Sequence, residues 1–267
     1  MSELSHGNNH LSVETGSGFS FLLAGNRSTR ECVDVEVIAI EANSVNQFSN
    51  ILQRSQWLHS KPFSISCSSC DQFCTLVPLE LFDHTQKEKY LSLNCELKPN
   101  DVVWHYTIHS IQCELVFAID GTLKRDFEKA FPAVVFRHSA ALMIDHIQSF
   151  INAKPTLYIN FYPGLMQLAV MDNRKLRFFN SYTWKTAEDV IYYALFVAEQ
   201  LKISPQDARI TLMGEVNEND TIFNLLNRYF GDVGFCPAVQ GVSYSEKMKK
   251  HPPHRFINPI NQFRCEL

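Results

Sequence analysis

The order strand, strand, strand, helix occurs twice in this 267-residue chain, and each copy opens on a hairpin with glycine in its turn. In the first copy, His10–Asn26 (HLSVETGSGFSFLLAGN) reads as two strands around a turn at Thr15–Gly18. A third strand, Val33–Glu41, alternates apolar and acidic residues, and a helix follows with Val45, Phe48, Ile51 and Leu52 on one face. In the second copy, LYINFY, a turn at Pro163–Gly164, LMQLAVM, a turn at Asp172–Lys175 and LRFFNSY lead into a helix over Thr186–Leu201. Val190, Ala194, Val197 and Leu201 form its apolar stripe, and Pro205 lies just beyond as a stop. The repetition argues for two similar halves.

The second copy continues with a strand at Ala208–Val216, a helix near Asn219–Phe230 and a short strand at Val233–Pro237, which completes a βββαβαβ unit. The first continues with Phe63–Val77 as a strand pair, Leu81–Leu93 as a helix, Val102–Ile119 as alternating β structure and a helix near Leu123–Ala130. Ala133–Arg137 and a helix over Ala140–Asn152 read as the connection between halves. The boundary falls near Lys154–Pro155, giving an N-terminal lobe at residues 1–154 and a C-terminal lobe at 155–267.

Composition narrows the class of protein. Hydrophobic residues make up 45% of the chain, a globular value, yet no run approaches the roughly 18 apolar residues of a membrane helix, so no membrane insertion is expected. The first residues carry no basic segment followed by an apolar run, which predicts a cytoplasmic chain without a signal peptide. Eight cysteines scattered among strands fit reduced thiols. A net charge of −4 argues against a nucleic-acid partner, because phosphate backbones select a broad positive surface.

Two consecutive βββαβαβ units resemble the two-lobed actin-like ATPase fold, a ribonuclease H-like duplication shared by actin, sugar kinases and Hsp70. The residues GFSF at Gly18–Phe21, LYINFYPG at Leu157–Gly164 and the ending HRFINPINQFRCEL also make the chain resemble an uncharacterised Bacteroides-type bacterial family with a degenerate form of that fold. That family offers no activity to carry over. PilM-like and GspL-like cytoplasmic proteins, more distantly similar, imply a role in holding protein partners.

The superfamily resemblance implies that the two hairpin turns clasp nucleotide phosphates and a third Gly-rich turn holds adenosine, since backbone N–H groups must approach phosphate closely. Val13–Gly18 keeps small residues: Thr15, Gly16 and Ser17 are candidate phosphate binders, with Glu14 near the position of the acidic residue. The second turn departs from the pattern. Asn160 replaces Asp, Tyr162 is bulky, and Pro163 has no N–H to donate beside Gly164. The third survives only as Met213-Gly214-Glu215, whose carboxylate would face a polyanion unless a cation intervened.

Other constellations have simpler readings. Cys67, Cys70 and Cys74 offer three thiolates without a fourth ligand, and FSISCSSCDQFCTLVP alternates like a β-hairpin turning near Cys70–Gln72, so no metal is expected. Asp120 before Gly121-Thr122 suits a helix cap better than a metal or phosphoryl site. His251-Pro-Pro-His254 reads as a solvated loop, surrounded by the basic Lys247, Lys249, Lys250 and Arg255, a possible contact for an acidic partner. Phe161, Tyr162, Phe178, Phe179, Tyr182, Trp184, Tyr192, Tyr193 and Phe196 read mostly as core, with Tyr162, Tyr182 and Trp184 as candidates for a cleft wall. No GxSxG, HExxH, Walker or Rossmann fingerprint occurs.

The expectation is a non-catalytic interaction or scaffold protein with an unidentified protein partner and no cofactor. The alternative is an ATP-binding phosphotransferase or nucleotide-dependent switch, in which Thr15, Gly16 and Ser17 bind phosphate and Glu14 or Asp120 positions magnesium.

Overall fold

Strands buried on both faces tend to read as near-continuous apolar runs; LYINFY and LMQLAVM of the second half largely do, whereas HLSVETG of the first is buried with polar residues at alternate positions. In a computed structural model, residues 8–41, 46–59, 62–71, 73–93 and 95–267 are described; Val45 of the first helical stripe, Gln72 of the expected cysteine hairpin turn and the N-terminal residues 1–7 lie outside them.

The first meander is β1 (Asn9–Gly16), β2 (Phe19–Asn26) and β3 (Glu31–Ala39). Helices α1 (Gln47–Arg54) and α2 (Gln56–His59) follow, then β4 (Ser64–Cys70). Next come β5 (Cys74–Pro78), α3 (Lys87–Ser92), β6 (Asp101–Ile108), β7 (Cys113–Asp120), α4 (Gly121–Ala130), β8 (Val135–His138) and α5 (Ser139–Ile147). The second meander is β9 (Thr156–Tyr162), β10 (Leu165–Asp172) and β11 (Lys175–Thr183), followed by α6 (Ala187–Gln200), β12 (Arg209–Gly214), α7 (Thr221–Tyr229) and β13 (Asp232–Phe235). The chain ends in β14 (Ser243–Tyr244) and α8 (Ile257–Arg264).

Two sheets share one strand order. The first is β14-β3-β2-β1-β4-β8 and the second β11-β10-β9-β12-β13. Without β14, both read third, second, first, fourth, fifth, with the last two parallel to the first. The match extends to single residues. β1–β2 closes with Gly16 opposite Phe19 and β9–β10 with Tyr162 opposite Leu165, so Ser17-Gly18 and Pro163-Gly164 are equivalent two-residue turns. Both third strands carry a bulge at the same place, with Val33 as the extra residue in β3 and Arg177 in β11.

The chain divides into two compact units. One contains residues 1–142, 239–251 and 258–267, so that β14 and most of α8 belong with the first sheet; the other contains 143–238 and 252–257. In the first unit Leu11, Val13, Leu22, Ile51, Ile65 and Phe127 form a core between sheet and helices. A third sheet, β5-β7-β6, is inserted between β4 and α4, with its own cluster of Val77, Leu91, Val103, Val116 and Ala118. The second unit packs Leu157, Ile159, Leu168, Val170, Ile210 and Leu212 against Val190, Ala194, Val197 and Leu226. Thr186 and Asp189 start α6 as a capping box: the Thr186 hydroxyl accepts the Asp189 N–H, and the Asp189 carboxylate accepts the Thr186 N–H.

Several sequence expectations need correction. Cys67 and Cys74 do not share a hairpin: β4 pairs in parallel with β1 and β8, whereas β5 pairs with β7 in the inserted sheet. Val135–His138 is not a connection but the fifth strand of the first sheet. The expected helix at Leu81–Leu93 shortens to α3, preceded by two 3₁₀ turns. No element was expected in the C-terminal tail, which supplies a strand and a helix. There α8 docks through Ile257, Ile260 and Phe263 together with the amides of Asn258, Asn261 and Gln262, and Pro259 in its first turn hides the helix from the sequence.

Candidate functional site

In the first unit, β1 delivers Glu14, Thr15 and Gly16 to the hairpin turn, with Ser17 exposed at its tip. Glu14 is buried, and its carboxylate accepts the Asn258 side-chain amide of α8 at 3.2 Å. Thr15 is also buried; its hydroxyl shares a 2.6 Å hydrogen bond with Ser20 and accepts the Gln47 amide at 2.7 Å. The same amide donates to the Gly16 carbonyl at 3.1 Å. A side chain at Gly16 would fall 2.6 Å from the Phe19 ring and 2.7 Å from the Cys70 carbonyl, so only glycine lets the turn pack this closely.

In the second unit, Asn160 stands where Glu14 stands in the first, by the register of the two meanders. Its amide donates to the Tyr162 hydroxyl at 2.9 Å, and both side chains are buried. Pro163 and Gly164 form an exposed tip, and the Gly164 carbonyl accepts the Trp184 N–H at 3.1 Å. Gly214 comes up against this hairpin: a Cβ there would lie 2.1 Å from the Phe161 carbonyl and 2.6 Å from Asn160 Oδ1, and the backbone has φ +80°. Its N–H donates to the His254 carbonyl, and the Glu215 N–H to the Phe161 carbonyl. Gly214 is thus a close-packing glycine joined to Asn160.

Each unit therefore gathers its own candidates: Glu14, Thr15, Gly16 and Ser17 at one turn, Asn160, Gly164 and Gly214 at the other. At the first, the Thr15 hydroxyl and Glu14 carboxylate already have protein partners. At the second, Pro163 removes a backbone donor and Tyr162 fills the place that Gly16 holds in the first. Among the described residues no group of three or more His, Cys, Asp or Glu side chains converges to hold a metal.

The remaining candidates have structural roles. Asp120 caps α4, its carboxylate accepting the Leu123 N–H at 2.8 Å. Burial pushes the Cys67 and Cys74 thiols up, away from the thiolate that binds metal. His254 does lie in a turn, but the expected solvation is corrected: the ring is buried, stacks on Phe235 with centroids 4.2 Å apart and bonds the Val216 carbonyl at 2.7 Å. Of the basic stretch, Arg255 pairs with Glu215 at 2.9 Å, Lys247 with Asp34 at 2.7 Å and Lys249 with Glu246 at 2.6 Å. Arg255 is the cation beside the Glu215 carboxylate. Tyr162 and Trp184 pack inside the second unit, Trp184 edge-on to Phe161. Tyr192 and Phe196, read as core, instead lie on the surface.

The family model described as a protein of unknown function, DUF3822, matches residues 2–233. The chain belongs to the DUF3822 family. Among solved structures it is similar to a Bacteroides thetaiotaomicron protein with actin-like ATPase fold and unknown function, with TM-score 0.77 and 18% identity, covering 97% of this chain and 96% of that one. It is similar to a chain of the PilM-PilN type IV pilus biogenesis complex, with TM-score 0.60 and 11% identity, covering 96% and 98%. The ethanolamine utilization protein EutJ from Carboxydothermus hydrogenoformans gives TM-score 0.52 and 8% identity, covering 98% and 91%. No curated protein matches the chain. These likenesses show the fold: this DUF3822 member is an α/β protein with the actin-like ATPase fold. No helix among its described residues is long and apolar enough to cross a membrane.

Two residues that shape the first turn were not visible in the sequence. Gln47 reaches Thr15 from the next helix, and Asn258 reaches Glu14 from the far end of the chain, a separation of 244 residues. Only the fold brings them there.

Proposed function

We propose that this DUF3822 protein is a non-catalytic interaction or scaffold protein that has kept an actin-like fold while its phosphate-binding turns have been given over to packing. The observation that carries this reading is the turn Asn160–Gly164: the Asn160 amide is bonded to the Tyr162 hydroxyl, and Pro163 lacks the N–H that a phosphate cradle needs. The residues present do not fit Mg-ATP there. At the first turn, closure of Thr15 by Ser20 and Gln47 and of Glu14 by Asn258 points the same way. The PilM-PilN neighbour, solved as a complex with a partner, supports the class of function by analogy of fold alone.

A phosphate-release assay with Mg-ATP tests this directly. The proposal predicts no turnover above that of a heat-inactivated sample. Turnover that disappears in Thr15→Ala and Glu14→Gln would overturn it in favour of a phosphotransferase or nucleotide-dependent switch, the reading favoured by the small residues of the first turn and the exposed Ser17.

A further inference from the structure

The duplication makes one half a template for the other, and the two differ at one sheet edge. In the first unit, β3 does not end its sheet: β14 adds in parallel, with Ser243 opposite Glu31 and Tyr244 opposite Cys32. The Ser243 N–H donates to the Arg30 carbonyl and the Ser245 N–H to the Cys32 carbonyl. The occupant also matches the edge in charge, since Lys247 pairs with Asp34. In the second unit the equivalent strand β11 is the last in its sheet, and among the described residues no strand pairs with its outer side. The shared bulge aligns Glu31 with Lys175, Cys32 with Leu176 and Val33 with Arg177. The template therefore turns the Arg174 and Leu176 carbonyls outward.

We propose that the open edge of β11 is a docking site for an extended peptide segment of a partner protein, added parallel to β11, acidic in its leading half and apolar in its trailing half. Parallel addition follows from β14, and it disfavours a second copy of this chain, because twofold pairing of β11 with itself is antiparallel. The acidic half follows from charge. An exposed arginine, Arg30 or Arg174, begins both edges; beyond it, where the covered edge has Glu31 and Asp34, the open edge has exposed Lys175 and Arg177, of which Arg177 is paired with Asp172 at 3.4 Å. The apolar half follows from what borders the other end. Tyr182 of β11 stacks on Tyr193 of α6 with centroids 4.1 Å apart, and the ladder continues through Tyr192 to Phe196. Tyr192 is 62% exposed and Phe196 43%, a costly display of aromatic surface on a helix whose other face is core. The length of pairing is limited by Asn180, whose side-chain oxygen accepts the Ser181 N–H at 2.8 Å. The pairing window is thus Lys175–Phe179. Main-chain hydrogen bonds supply affinity in such a mode, and flanking charges and aromatics supply selectivity.

This deepens the interaction-protein reading, yet fails separately from it: ATP turnover would overturn that reading and leave this site untouched. The test pans a displayed library of random dodecapeptides against the full chain and measures the enriched peptides in synthetic form. The expected result is enrichment of acidic-then-apolar sequences. Their binding should fall at least tenfold with Lys175→Glu/Arg177→Glu and with Tyr192→Ser, both at exposed positions, and should slow amide exchange at Leu176–Phe179. Failure to enrich any peptide overturns the proposal, as do peptides indifferent to charge reversal, protection confined to other segments, or a dimer in sedimentation that the charge-reversed variant abolishes.

Discussion

His10 lies on the polar face of the first sheet. Its Nδ1 is 2.8 Å from the Ser64 hydroxyl and its Nε2 is 2.8 Å from the Ser66 hydroxyl, while the Gln262 amide of α8 donates to Ser66 at 2.7 Å. The ring stacks on Phe263, and the residue is almost wholly buried. Burial, aided by Arg27 and Arg137, lowers its pKa from 6.5 to about 4. A histidine so depressed is neutral in the folded chain at pH 5 but protonated in the unfolded chain. Stability is therefore full above pH 6.5 and is lost as pH falls toward 4. Between pH 7 and pH 5 the shift amounts to about 2 kcal/mol from this one residue. Amide exchange in β1 and β4 reads the opening free energy of that sheet at both pH values, for the wild type and for His10→Gln, which cannot titrate. The wild type should lose about 2 kcal/mol more than the variant over that interval. Equal losses would show that His10 is solvated in solution and would refute the buried seat for α8.

Three further outcomes follow from close packing and capping. Gly214→Ala places a Cβ against the Phe161 carbonyl at positive φ and should destabilise the second unit by about 2 kcal/mol or more, read by urea unfolding. Gly25→Ala places a Cβ 2.4 Å from the Phe263 ring, so it should loosen α8 by about 1–3 kcal/mol; Gly25→Ala/Phe263→Leu should recover part of that loss, measured by amide exchange in α8. Asp120→Ala removes the cap of α4 and should cost about 1 kcal/mol in thermal unfolding, leaving any nucleotide response unchanged.

The repeated meander was legible because its first two strands carry apolar residues on the core face and its first hairpin turns carry glycine, so pattern and punctuation agree. The capping role of Asp120 was legible for the same local reason. The exposed aromatics were not: Tyr192 and Phe196 sit four residues apart on α6, a spacing that suits a core stripe as well as a surface ladder. Nor was the pairing of the cysteine segment, since the alternation of Phe63–Val77 names two strands without saying which sheet takes each. The C-terminal helix escaped notice although Ile257, Ile260 and Phe263 recur at helical spacing and are buried: Pro259 interrupts the segment, and the buried amides of Asn258, Asn261 and Gln262 fall between the apolar positions, so no clean apolar stripe shows. At the second turn Pro163 and Tyr162 already spoke against a phosphate cradle, while the bond from Asn160 to Tyr162 needed coordinates.

The central claim is that the phosphate-binding turns of this actin-like fold now serve packing. Calorimetric titration of the full chain with Mg-ATP measures it most directly. The account predicts no saturable heat up to millimolar nucleotide, in the wild type and in Thr15→Ala alike. Saturable micromolar binding in the wild type, lost in Thr15→Ala, would contradict it.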